Sequence, residues 1–224
     1  MPMLFRIAIL FFAVTSLAYA AEKMPEMTEQ QIYKTVSPMN GEDETSVIVF
    51  FKYGCPVCRN YHAVLDHWGS TLPKPIIFQF VPIVEGDGVT AISKESGLGV
   101  LGFWSAERSG THAARNMFSE EMYMLYQDKH AGIQPAAVID AARSSNLMMD
   151  RFKKAWSDGI TNGASNLNRQ AYYRPSVTPT MVICGKYVIT PDSALGNQDT
   201  FIQLANGLVS KCLVEKGLAK APTS

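Results

Sequence analysis

The sequence predicts an α/β fold in which an all-helical block interrupts a single sheet-containing domain. Three stretches of the 224 residues carry that expectation. Ser46 to Ile83 reads as strand, helix, strand. Phe103 to Gly159 reads as helix, and from Val177 two short strands and a closing helix follow. The order βαβ, helices, ββα has no internal repeat and no low-complexity segment.

Residues 1–20 have the layout of a secretory signal: Arg6 in a positive n-region, an apolar run from Ile7 to Val14, and Ala18-Tyr19-Ala20 as a cleavage site, so that the mature chain begins at about Ala21. A membrane anchor is the weaker alternative, because the apolar run is shorter than the roughly 20 residues a spanning helix needs. Without Arg6 the formal charge moves from zero to minus one. That balance excludes a globally basic surface for nucleic acid or an anionic membrane. Ala21 to Asn40 is polar and reads as an amphipathic or loosely ordered arm, ending near Asn40-Gly41.

Val47 to Phe51 (VIVFF) is continuously β-branched and aromatic, as a strand buried on both faces requires. Tyr61, Val64, Leu65 and Trp68 recur at helical spacing within Val57 to Trp68. Pro73 and Pro75 end that helix, and Ile76 to Ile83 returns as a strand. Glu85 to Gly102 is Gly- and Ser-rich and reads as a connection. Phe103 to Tyr126 and Pro135 to Gly159 read as two helices, the second starting at Gln134-Pro135. Thr180 to Cys184 and Tyr187 to Thr190 form a hairpin across Gly185-Lys186. In Thr200 to Lys216, Phe201, Leu204, Leu208 and Cys212 mark one face of a terminal helix.

Directly after the first strand stands Cys55-Pro56-Val57-Cys58, two thiols one helical turn apart. Pro56 suits the first helical position, where its missing N–H costs nothing, and this makes Cys55 the N-cap. Unpaired N–H groups and the positive end of the helix dipole there favour a thiolate, so Cys55 is the candidate nucleophile and Cys58 the more buried resolving thiol. In an exported chain such a pair is poised for exchange. Far along the chain, Pro179 follows Thr178 at the entry of a strand, a weak signal by itself.

Taken together, CPVC after VIVFF, the βαβ unit, the helical insertion, VTPTMVICGKYVIT and the terminal helix resemble the DsbA family of bacterial thiol:disulfide oxidoreductases over essentially the whole mature chain. The resemblance implies a thioredoxin-like fold with an inserted helical domain, no cofactor, and a periplasmic location. It divides the chain into a signal peptide (1–20), an arm (21–45), a first thioredoxin-like segment (46–86), the helical insertion (87–165) and a second thioredoxin-like segment (166–224). It also implies a cis Pro179 beside the motif, with the Thr178 backbone receiving an extended substrate segment. Exported proteins with cysteines would be the substrates, reoxidation would come from a membrane quinone-linked DsbB-type partner, and a DsbD-type partner would instead keep a reductase or isomerase reduced. The short arm argues for a monomer.

The chain departs from the family pattern at three positions. Val57 stands where the family's motif usually has His, which predicts a higher Cys55 pKa and a less oxidising disulfide. Val49 stands where an acidic residue is usual. Thr178, rather than Val, precedes the proline, a choice commoner in disulfide isomerases and in some oxidases outside the main type.

Cys184 and Cys212 form the second thiol pair. A structural disulfide tying the last helix to the sheet is the favoured reading in an exported chain, with two buried thiols or a second redox pair as the alternatives. His62, His67, His112 and His130 read as surface or boundary residues, and no His or Cys spacing suggests zinc. Met117, Met122, Met124, Met148 and Met149 read as adaptable core packing, or as a soft groove for apolar partners. A non-catalytic copper(I)-binding or partner-docking module is the competing function class.

Overall fold

The computed structural model describes residues 32–85, 94–128, 133–159 and 164–220. The expected signal segment, residues 21–31 of the arm and His130 lie outside them. A mixed five-stranded sheet organises the chain, in the order β1 (Lys34–Thr35), β5 (Tyr187–Ile189), β4 (Thr180–Ile183), β2 (Ser46–Phe51), β3 (Ile77–Pro82). β2 and β3 are parallel, with Val49 opposite Phe80, because α1 (Pro56–Ser70) carries the chain back between them. β4 runs antiparallel to β2, placing Thr180 opposite Phe50. The β4–β5 connection turns with left-handed backbone at Cys184 and Gly185 (φ 53° and 62°). A Cβ on Gly185 would also meet Pro38 at 2.6 Å, so glycine is required there twice over.

β2 is buried along its whole length. Its side chains alternate between two cores, as the pleat demands. Val47 and Val49 face a core formed with Tyr61, Leu65 and Trp68 of α1 and Phe201, Ala205 and Leu208 of α7 (Gln198–Glu215). Ile48 and Phe50 face the other side, with Val81, Val182 and Tyr173 of α6 (Ala164–Tyr173). Phe51, at the end of the strand, belongs to a third core, shared with Cys55, Cys58 and the helical insertion.

That insertion is built from α2 (Lys94–Glu107), α3 (His112–Gln127), α4 (Pro135–Ser144) and α5 (Met149–Ser157). It differs from the expected pair of long helices in two ways. First, α2 occupies part of what reads as a glycine-rich connection. Its glycines serve close packing: a Cβ on Gly99 would lie 2.8 Å from the Tyr126 hydroxyl, and one on Gly102 2.9 Å from Val138. Second, each long stretch is divided. Thr111 caps α3 by accepting from the Ala114 N–H, and Asn146 turns left-handed (φ 58°) between α4 and α5. The arm is also more structured than its polarity suggests, since Lys34–Thr35 adds an edge strand and Asp43 is fully buried. The expected boundary between residues 165 and 166 falls in the first turn of α6. Among the described residues no helix is long and apolar enough to cross a membrane.

Candidate active site

β2 delivers the chain to the seam between sheet and insertion, and α1 starts there. Cys55 is the N-cap in extended conformation (φ −96°, ψ 113°), with Pro56 at the first helical position. The Cys55 sulfur accepts from the backbone N–H of Cys58 at 3.3 Å. Both cysteines are free thiols; Cys55 is 8% exposed and Cys58 2%. The Cys55 thiol is held at about 5, well below its ordinary 9.0, above all by hydrogen bonding from Cys58, and further by the Thr178 side chain and the backbone N–H groups of Cys58 and Val57; burial opposes the shift. The Cys58 thiol is pushed far upward, by the same bond to Cys55 and by burial. The two shifts run in opposite directions, favouring the charge on Cys55 and the proton on Cys58.

Across the seam, the Thr178–Pro179 peptide bond is cis, and the Cys55 thiol, when protonated, donates to the Thr178 carbonyl at 3.2 Å. The Thr180 hydroxyl donates to the Val177 carbonyl at 2.7 Å and holds that loop against β4. Val57 and Val177 are 41% and 47% exposed, so apolar side chains from both the motif and the loop reach solvent.

The third wall comes from α3 and is not legible in the sequence. The Gln127 side-chain amide donates to the carbonyls of Tyr53 and Cys55, at 2.7 and 3.1 Å. Asp128 receives both of its bonds from Arg59 at 3.1 Å. One turn along α1 from Cys58, His62 is buried, contrary to its expected surface or boundary placement. Its ring stacks on Phe80 at 4.3 Å and its Nδ1 lies 3.3 Å from the Tyr123 hydroxyl. The cause is the insertion: α1 is amphipathic about the sheet, but its polar-looking flank is covered by α3. Farther along, Asp66 pairs with His112 at 3.0 Å and accepts from Asn116 at 2.6 Å. His67 and His112 are exposed.

Cys184 and Cys212 are joined in a disulfide that closes a loop of 28 residues between the end of β4 and α7. Met122 is fully buried among the insertion helices, whereas Met117 and Met148 are 48% and 45% exposed. Among the described residues no group of three or more His, Cys, Asp and Glu side chains could hold a metal ion.

No family model matches the sequence. Among curated proteins, it is similar to the thiol:disulfide interchange protein DsbA of Pseudomonas aeruginosa, 24% identical over 214 residues that cover 93% of this chain and 95% of the relative. It is similar too to DsbA of Azotobacter vinelandii, 25% identical over 178 residues, 78% of each chain. Among solved structures, Pseudomonas aeruginosa DsbA superposes with a TM-score of 0.67 at 21% identity, covering 87% of this chain and 97% of that one. Reduced DsbA1 from Neisseria meningitidis gives 0.69 at 14% identity, covering 87% and 100%. The fold is thus the thioredoxin fold with a helical insertion.

Proposed function

We propose that this chain, a member of the DsbA family of thiol:disulfide oxidoreductases, introduces disulfides into exported proteins through Cys55 and Cys58. The observation that carries this reading is the asymmetry of the pair's placement: Cys55 caps α1, its sulfur accepting the Cys58 N–H at 3.3 Å and facing the Thr178 carbonyl before the cis proline at 3.2 Å, while Cys58 is 2% exposed one turn inside the helix. In the oxidised enzyme a substrate thiolate attacks the Cys55 sulfur; an S–S bond to substrate forms, the Cys55–Cys58 bond breaks, and Cys58 leaves as a thiolate that takes up a proton. A second substrate thiolate then attacks its partner sulfur in the mixed disulfide and expels Cys55. A leaving thiol with a pKa of about 5 departs readily, which drives this direction. Two electrons pass from substrate to enzyme, and an oxidant must remove them.

The Thr178 carbonyl, beside Cys55 and next to an exposed Val177, is suited to receive an extended substrate strand. The setting we propose is the periplasm, with a DsbB-type quinone-linked reoxidant. Val57, uncharged at the second position of α1, favours a second reading, a reductase or isomerase kept reduced by a DsbD-type partner. Refolding of a reduced, disulfide-containing substrate by the oxidised protein, compared with Cys55→Ala, tests the activity; equal rates would remove the catalytic assignment. Equilibration with glutathione tests the direction: a potential near the roughly −270 mV of thioredoxin would favour the reductase.

A further inference from the structure

Helix α6 docks on the sheet through polar side chains. Asn166, Arg169, Gln170 and Tyr173 follow the i, i+3, i+4, i+7 spacing of one helix face, the face a surface helix ordinarily makes apolar. Every one of them is engaged. Arg169 Nε donates to Asp43 Oδ1 at 2.7 Å, and Nη1 donates to Asn166 and Gln79 at 3.1 and 3.3 Å. The Tyr173 hydroxyl donates to Asp43 Oδ2 at 2.6 Å and accepts from the Met39 N–H at 3.1 Å. Gln170 bonds both the N–H and the carbonyl of Val84, at 2.8 and 2.7 Å, as a neighbouring strand would. Asp43 is 0% exposed and Arg169 5%.

A buried ion pair of this kind is poor glue, because desolvating the two charges offsets most of their attraction. What it supplies is a single permitted arrangement, since any sliding leaves buried charge unpaired. The segment set by that arrangement is short. Tyr173 ends α6, Arg174 turns left-handed (φ 47°), and four residues later Thr178 presents its carbonyl to Cys55. Phe50 links the two ends, packing its ring on Tyr173 at 6.1 Å while pairing in register with Thr180.

We propose that the Asp43–Arg169–Tyr173 network is a positioning device for the substrate-docking loop, fixing the Thr178 carbonyl against Cys55 from the far face of the sheet. This rests on Cys55 as nucleophile and Thr178 as the peptide-receiving residue. A small dithiol needs only the sulfur, whereas a peptide needs the loop, so the two substrates separate positioning from simple stability.

The test measures the rates at which the oxidised full chain reacts with dithiothreitol and with a cysteine-containing peptide, for the parent, Tyr173→Phe and Arg169→Met, with circular dichroism as the check on folding. Tyr173→Phe removes one hydroxyl and serves if Arg169→Met does not fold. The expected result is a folded Tyr173→Phe protein whose peptide rate falls on the order of tenfold while its dithiothreitol rate stays within about twofold. A folded variant in which both rates fall together, or neither changes, overturns the proposal. If the parent reacts with neither, the thiol:disulfide assignment itself fails and the positioning role falls with it.

Discussion

The side-chain amide of Gln127 lies 3.1 Å from the carbonyl oxygen of Cys55, so the last residue of α3 holds the backbone of the redox motif. The same amide also reaches the Tyr53 carbonyl at 2.7 Å. Gln127→Leu, which keeps the volume and removes the donors, is expected to cost about 1 to 2 kcal/mol in urea unfolding, at about 1 kcal/mol for each lost bond. Gln127→Glu goes further: a carboxylate beside two carbonyls and near the Cys55 thiolate is expected to raise the Cys55 pKa, read from thiolate absorbance at varied pH. An unchanged pKa in that variant would mean that the Gln127 position is electrostatically remote from the sulfur.

Val57 sets the second prediction. It is 41% exposed at the second position of α1, where a side chain can approach the Cys55 sulfur without displacing any core residue. Val57→His is therefore expected to fold normally and to lower the Cys55 pKa below about 5, by adding a cation and a donor at the thiolate. Each unit of lowering stabilises the reduced form by about 1.4 kcal/mol, equivalent to about 30 mV in a two-electron couple, so the potential rises. A lowered pKa with an unchanged potential would break the link between thiolate stability and oxidising power.

The two sheet-forming units are legible in the sequence because their signals are local: VIVFF needs two apolar faces wherever it sits, and Cys55-Pro56 is a helix start by the chemistry of proline alone. The insertion is less legible. Gly99 and Gly102 read as a connection because a glycine's local preference is for turns, yet here each exists to admit Tyr126 or Val138 from another helix. Gln127 and His62 carry no local signal, since the role of each depends on how α1 and α3 pack. Asp43 and Arg169 are 126 positions apart, and nothing in either neighbourhood points to the other.

The Cys184–Cys212 bridge yields a stability prediction independent of the redox site. Its loop spans 28 residues, for which the chain-entropy model gives roughly 3 to 4 kcal/mol. The Cys184→Ala, Cys212→Ala double variant is expected to lose about that much in denaturant unfolding, while the thiolate titration of Cys55 stays where it was. A shift in the Cys55 titration would show that the bridge and the motif communicate, as a second redox pair would require.

His62 makes the fold sensitive to acid. Burial pushes its imidazole down to about 4, from 6.5, with Asp66 pulling weakly the other way; Tyr123 from α3 and Phe80 from β3 are the other groups against the ring. Because the folded pKa is depressed, the unfolded chain binds the proton more tightly. This contribution is therefore fully present above about 6.5 and is lost as pH falls toward about 4, by roughly 3 kcal/mol over that window. His62→Gln removes the titration but keeps a polar group within reach of the Tyr123 hydroxyl. It is expected to be less stable than the parent at pH 7, because the stack on Phe80 is lost, yet to lose less of its remaining stability between about pH 6.5 and 4.5. Unfolding free energies of both proteins at the two pH values check this, with the carboxylates common to both cancelling in the difference. Equal losses in the two proteins would show that His62 is protonated as easily in the folded chain as in the unfolded one.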